Sequence, residues 1–387
     1  MPAKRATKPP QVRATTSGVA EPLQQTERTC VLVRGRKLAY FAGCDYLRLA
    51  SHPDVLAAVR DGIERYGLNV AASRKTTGNH ALYGELETAL ARFAGAPAAT
   101  LLSSGYITNL VAAQSLAGTY DAALIDERAH AALHDAAPML GCPVSTFAHR
   151  DVNAAVRALA RTRTRGRVLL LTDGLFSHSG GIAPLQAYLR ELPDRVSLLV
   201  DDAHGFGILG KRGRGTLEFL GEPPGPRMMQ TITLSKAAGV YGGAILGTRE
   251  LRERILASSR HFTGNTPLPP PLAAGALAAL NLLGKHGGPM RRRLHFNASH
   301  VKAALRDAGL PTADGPGPIV ALHPVSPASA VRTKRALLAA GIHPPFIHYG
   351  TSATGYFRFV ISSEHTAAQL DALVNTLRRC AGRFQVA

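Results

Sequence analysis

The sequence predicts an α/β fold in which a mostly parallel sheet in a large domain is covered by helices on both faces, with a smaller α/β domain behind it. Three observations carry this expectation. Short apolar runs recur between residues 99 and 233 with helical stretches between them, the order expected of βαβ units. Several runs end on polar or ionisable side chains, among them Asp126, Asp173 and Asp201, and strand C-termini are where open α/β sheets hold ligands. The 387 residues suffice for one large and one smaller domain.

Residues 1–45 are expected to form an N-terminal arm and a short hairpin, residues 46–285 the large domain and residues 286–387 the small one. The arm, to about Glu27, is rich in Pro and Thr and basic at Lys4, Arg5 and Lys8. No apolar segment follows its charges, so it does not read as a secretory signal. Residues 30–33 and 37–41 are β-prone around an Arg34-Gly35-Arg36 turn. A helix is expected over 53–66, then a Gly/Ala/Ser/Thr-rich loop over 67–79. The next helix, 83–93, places Leu86, Ala89, Leu90 and Phe93 on one face. Strands follow at 99–102, 122–126, 144–148, 168–172, 196–200 and 231–233. Helices alternate with them at 109–116, after His130, at 152–161 and at 185–192. Past the prolines of 267–271, a helix over 273–283 leads to the second unit. That unit has strands at 319–322 and 356–361 and a final helix over 367–378.

Hydrophobic residues make up 45% of the chain and charged residues 18%, a globular balance that excludes a disordered protein. The formal charge is +19 and the pI near 10.4. The arginine knots at 161–167 and 291–293 are not interleaved with aromatic residues. With no zinc-finger or other nucleic-acid signature, nucleic-acid binding is excluded as the main function. The excess fits an Arg- and Ala-rich coding bias, and secondarily attraction for a phosphorylated substrate or an acidic carrier protein. Cys30, Cys44, Cys142 and Cys380 are scattered without a CxxC pair or metal spacing. The reading is a cytoplasmic protein with reduced thiols and no metal. The longest apolar stretch, 268–283, is broken by prolines and an asparagine and falls short of the roughly 20 residues a span needs.

The chemistry centres on residues 200–236. Asp201 and His204 follow an apolar run, and Lys236 follows a β-prone one, Thr231–Thr233. A lysine amine forms a Schiff base with an aldehyde cofactor. A carboxylate paired with a pyridine nitrogen keeps that nitrogen protonated and makes the ring an electron sink. His204 is placed to bond the ring's phenolic oxygen, and His130 offers a flat imidazole to stack on it. Ser104-Gly105-Tyr106 exposes backbone N–H groups at a helix start, a phosphate seat, to which Thr233 adds a hydroxyl. Taken singly, these are a capping Asp, core histidines and a solvated Lys. Together they point to pyridoxal 5′-phosphate (PLP).

The run from Asp201 to Gly215 resembles the signature of the α-oxoamine synthases, PLP-dependent enzymes of fold type I. Tyr46-Leu47-Arg48-Leu49, Ser104-Gly105-Tyr106, Asp126 to His130, Asp173-Gly174-Leu175-Phe176-Ser177, Thr233-Leu234-Ser235-Lys236 and Leu268-Pro269-Pro270 match in the same order. The resemblance covers about residues 38–378 and implies a large domain with a sheet of the seven-stranded type. It implies that Lys236 carries PLP, Asp201 holds its ring nitrogen, His204 contacts its phenolic oxygen and His130 stacks on the ring. Ser177 and Thr233 would lie near its oxygens and phosphate. Asn265 and Thr266 match a segment that reaches the partner subunit's phosphate, which implies a homodimer with shared sites. Arg358 matches the arginine that grips the amino-acid carboxylate. The implied reaction joins an amino acid, alanine or glycine first, to an acyl-CoA or acyl carrier protein thioester, with loss of carbon dioxide. The expected product is an α-amino ketone, as in 8-amino-7-oxononanoate synthase, a step of biotin biosynthesis.

The departures fall on the substrate side. Cys44-Asp45 stands where an Asn is usual, and Arg48 replaces a glycine. The Gly-Ser-Gly-Gly loop reads Asn69-Val70-Ala71-Ala72, Tyr83 stands for a His, and Asp173 for a Glu. His178-Ser179 replaces Met-Asp, and Phe346 replaces a Thr near substrate. Two further readings stand beside this one. One is another fold type I enzyme, such as an aminotransferase, or a family member with a different pair, such as 2-amino-3-ketobutyrate CoA ligase or serine palmitoyltransferase. The other is a non-catalytic scaffold descended from such an enzyme.

Overall fold

A computed structural model describes residues 21–222, 224–348 and 355–385. The first 20 residues of the expected basic arm lie outside the described residues. In chain order the elements begin with β1 (Gln24–Glu27), β2 (Cys30–Val33), β3 (Arg36–Ala39), α1 (Pro53–Tyr66) and α2 (Ala81–Ala94). The alternating part comprises β4 (Ala98–Leu102), α3 (Gly105–Ser115), β5 (Ala122–Asp126), α4 (Ala131–Ala136), β6 (Val144–Phe147) and α5 (Val152–Thr162). It continues with β7 (Val168–Asp173), α6 (Leu185–Glu191), β8 (Val196–Asp201), α7 (Thr216–Phe219), β9 (Met228–Thr233) and β10 (Gly243–Gly247). Then come α8 (Arg249–Ser258), α9 (Arg260–Thr263), α10 (Pro270–Lys285), α11 (Gly287–Arg306), β11 (Ile319–Leu322), α12 (Pro327–Ala339), β12 (Phe346–Ile347), β13 (Tyr356–Val360) and α13 (Ala367–Arg378).

β4 to β10 form a seven-stranded sheet in the order β4-β10-β9-β8-β7-β5-β6. It is parallel apart from β10, which runs antiparallel to both β4 and β9. Ala244 and Leu246 of β10 pack under α2 and α10, while Ile245 packs under α3. This period-two alternation leaves both faces of the sheet covered by helices. β5, β7, β8 and β9 are buried along their whole length, which is why the first three read as largely apolar runs. β10 escaped the sequence reading because glycines bound a run of only three apolar residues.

The arm is shorter than expected. β1 pairs antiparallel with β2, so residues 24–27 are a strand and not loose chain. Every residue of β1 is exposed, and no apolar alternation marks it; the free edge of β2 supplies its partner. In the β2–β3 turn Arg34 and Gly35 hold φ of 48° and 74°, the left-handed pair that a two-residue hairpin needs. A third sheet, the antiparallel β11-β13-β12, packs with α11 and α13 around Phe357, Phe359, Leu305 and Leu373. α11 and α12 had no counterpart in the sequence reading, and α11 begins at Gly287-Gly288-Pro289. Among the described residues no helix is long and apolar enough to cross a membrane.

Candidate active site

Register carries the ionisable side chains to one edge of the large sheet. Asp173 of β7 lies opposite Asp201 of β8, and Asp201 opposite Thr231 of β9. Beyond these strand ends is an open cavity with about 400 Å³ of empty space, into which Lys236, Asp201, Asp173, His204 and His130 project. Gly105, Tyr106 and Thr233 close its other side.

Lys236 Nζ lies 2.7 Å from His204 Nε2. Burial lowers the lysine's pKa, against the pull of Cys44, Asp201 and Asp173, so the amine is held toward its neutral, nucleophilic form. His204 is buried, and its Nδ1 lies 2.6 Å from the hydroxyl of Tyr46. Burial, with the charge of Lys236 next, lowers its pKa well below the ordinary value. Asp201 accepts from Asn109 Nδ2 at 2.6 Å and from the N–H of Ala203 at 3.0 Å. Asn109 in turn accepts from Thr231 Oγ1 at 2.7 Å. Asp173 accepts from the N–H of His130 at 2.9 Å. Its pKa is raised well above the carboxylate range by burial and by the charge of Asp201.

His130 caps α4, its Nδ1 accepting the N–H of Ala132 at 3.2 Å, and the imidazole is exposed to the cavity. The start of α3 is open: Ser104 precedes it without a side-chain cap. A Cβ on Gly105 would come within 2.6 Å of Thr233, so the helix start sits against the end of β9. Asp202 points away from the cavity and ties its loop together. It accepts from Thr216 N at 2.7 Å, Thr216 Oγ1 at 2.6 Å and Gln230 Nε2 at 2.6 Å; burial pushes its carboxyl up to about 7. Gly215 has φ of 102°, and a Cβ there would lie 1.9 Å from Asp202 Oδ2. Only glycine fits that turn.

The remaining residues singled out from the sequence are not among those that line this cavity. Arg358 is half-buried on β13, and its charge bears on both Lys236 and His204. Cys44 neighbours Tyr46 and Lys236. Ser177 is half-buried past the end of β7. Asn265 Nδ2 donates to Ser103 Oγ at 2.6 Å, and Thr266 is exposed beside it. Phe346 of β12 packs on Phe357 at 4.9 Å, with Lys334 Nζ 3.8 Å above its ring. Two departures have a backbone meaning: Arg48 and Ala71, where glycines are usual, hold φ of 53° and 48°.

Asn109 and Thr231 were missed from the sequence, and no role was read for Tyr46. The available signal was a single asparagine among Leu110, Val111, Ala112 and Ala113, since a buried amide must find partners.

Together, the fold and this cavity define an α/β enzyme built on a buried lysine flanked by imidazoles and carboxylates. The model of the family aminotransferase class I and II matches residues 40–377, and the chain belongs to that family. The 8-amino-7-oxononanoate synthase of Methylococcus capsulatus is 36% identical over 363 residues, 92% of each chain. That of Trichlorobacter lovleyi is 35% identical over 375 residues, 94% of each chain. Serine palmitoyltransferase from S. paucimobilis, solved with bound PLP-myriocin, matches with a TM-score of 0.87 at 26% identity. The match covers 95% of this chain and 94% of that one.

Proposed function

We propose that the protein is a PLP-dependent acyltransferase of the α-oxoamine synthase group. It condenses an amino acid, alanine or glycine first, with an acyl thioester and releases carbon dioxide. The product is an α-amino ketone, as for 8-amino-7-oxononanoate synthase. The observation that carries this reading is the gathering of Lys236, Asp201, His204 and His130 in one cavity at the strand ends.

The donor set fits PLP. A buried carboxylate on two donors suits a pyridinium nitrogen, an exposed imidazole face suits the ring, and the uncapped start of α3 with Thr233 suits the phosphate. Bound there, PLP supplies an electron sink for negative charge at the substrate Cα. Lys236 would hold the cofactor's aldehyde carbon, and its amine would take the proton from the substrate Cα; its lowered pKa favours that role. Asp201 keeps the ring nitrogen protonated, and Asn109 orients Asp201. His130 stacks on the ring, while His204 and Ser177 serve its oxygens. Ser104, Gly105, Tyr106 and Thr233 seat the phosphate, joined by Asn265 and Thr266 from the partner in a homodimer. Arg358 pairs the substrate carboxylate. Cys44 and Phe346 bound the substrate side. A net charge of +19 supports acyl-CoA or an acyl carrier protein as donor, and a cytoplasmic setting fits both.

The test crosses a panel of amino acids with CoA and carrier-protein thioesters and reads free thiol. Thiol release that requires Lys236, and is absent from Lys236→Ala, is the expected result. No release across the panel overturns the reading, and loss of the amino group dependent on a keto acid would point to an aminotransferase.

A further inference from the structure

Tyr46 is buried completely, and its hydroxyl lies 2.6 Å from His204 Nδ1. On the far side of the same ring, Nε2 lies 2.7 Å from Lys236 Nζ. Three polar groups from separate segments thus form a line that ends at the lysine. In a neutral imidazole one nitrogen donates and the other accepts, and the hydrogen bond at one side sets the behaviour of the other.

The phenol keeps its proton, since burial raises its pKa. The imidazole carries one proton, since burial and Lys236 lower its own. A separation of 2.6 Å suits an O–H donor better than an N–H donor, whose bonds are typically nearer ~2.9 Å. Tyr46 therefore donates to Nδ1, and the ring proton sits on Nε2.

We propose that Tyr46 is a positioning residue for Lys236: its hydroxyl holds His204 in the tautomer that aims Nε2–H into the cavity, at the lysine nitrogen when no cofactor is bound and at the phenolic oxygen that would share a proton with that nitrogen when PLP is bound. The inference deepens the proposed function and rests on Lys236 being the cofactor lysine. A donor aimed at that nitrogen, or at the oxygen with which it would share its proton, opposes a proton on it. The surrounding groups set the balance. Cys44, Asp201 and Asp173 favour a protonated Lys236, Arg358 opposes it, and His130 and Arg358 face His204. Cys44 and Arg358 also face the phenol. Taking away the hydroxyl tips this balance toward the acids.

The phenol is fixed through its backbone as well as its oxygen. Tyr46 N donates to Cys44 O at 2.9 Å, and Ser363 N donates to Tyr46 O at 2.9 Å. Asp45 pins the following turn by accepting from the N–H groups of Leu49 and Ala50. Tyr46→Phe is therefore expected to fold.

The test follows the visible absorbance of the lysine–PLP linkage against pH in the holoenzyme. Tyr46→Phe is expected to keep the colour and to move the midpoint upward by about one pH unit, tenfold in proton affinity. Asp45→Asn, which loosens the same turn without touching the phenol, is expected to lower Tm and leave the midpoint in place. An unmoved midpoint in Tyr46→Phe, or an equal shift in Asp45→Asn, overturns the proposal. Ring-nitrogen NMR of His204 in the unmodified full chain needs no variant, and a proton on Nδ1 instead of Nε2 overturns it as well. If the wild-type protein takes up PLP without a visible band, the functional reading fails, while the NMR result still judges the role of Tyr46.

Discussion

Replacing Asn109 by alanine breaks the side-chain link from Asp201 to Thr231 of β9. The amide donates to Asp201 Oδ2 at 2.6 Å and accepts from Thr231 Oγ1 at 2.7 Å, and all three groups are buried. Loss of a hydrogen bond to a charged acceptor costs about 1.5–3 kcal/mol, and the stranded Thr231 hydroxyl about 1–3 kcal/mol more. With partial relaxation, Asn109→Ala should lose roughly 3–5 kcal/mol of stability. Groups that orient a ligand-binding side chain typically contribute about 10- to 100-fold in affinity at metal sites, and a similar loss is expected for PLP. Urea denaturation and a PLP titration read the two effects. Asn109→Asp separates packing from charge, because it keeps the shape and sets a second carboxylate against Asp201. The added acid has a folded pKa raised above its unfolded value, so its penalty grows as pH rises, and the variant should fare worse at pH 8 than at pH 5. A loss below about 1 kcal/mol in Asn109→Ala, with PLP affinity unchanged, would refute the reasoning.

His365 is buried against Phe41, its Nδ1 accepting from Ser362 N at 2.9 Å, and burial lowers its pKa from 6.5 to about 3. A depressed pKa contributes stability above the unfolded value that is lost as pH falls from 6.5 toward 3, up to roughly 5 kcal/mol. Denaturant midpoints of His365→Gln should therefore fall less steeply over that window than those of the wild type, and parallel slopes would count against this. Gly105→Ala drives a Cβ to 2.6 Å from Thr233, an overpacking that costs about 1–3 kcal/mol. It should also push the start of α3 away from the phosphate seat; unchanged Tm and unchanged PLP affinity would contradict it.

The sheet was legible where burial on both faces writes a continuous apolar run. The strands at 30–33, 122–126 and 319–322 have the expected bounds, and the others drift by one to three residues at an end. Exposed β1 and glycine-bounded β10 carry no such run, because their partners, not their own side chains, make them strands. Lys236, Asp201, His204 and His130 stood out because ionisable groups at the ends of apolar runs are costly without a task. Asn109 and Tyr46 did not, because they act on the hidden side of those groups. Their partners lie 92 and 158 residues away in sequence, and no local spacing records such a meeting. Arg48 and Ala71 read as substitutions on the substrate side, whereas the structure shows that these positions demand left-handed backbone.

The cavity draws Tyr46 from near the start of the described chain, Lys236 from its middle and Arg358 from near its end. Such distant pairings form late and slowly during folding. A ligand held by all three segments favours the folded chain over the unfolded one, by about 2.7 kcal/mol at a hundredfold excess over its dissociation constant. The protein's resistance to unfolding is thereby tied to its cofactor's concentration, so Tm should climb as PLP is added.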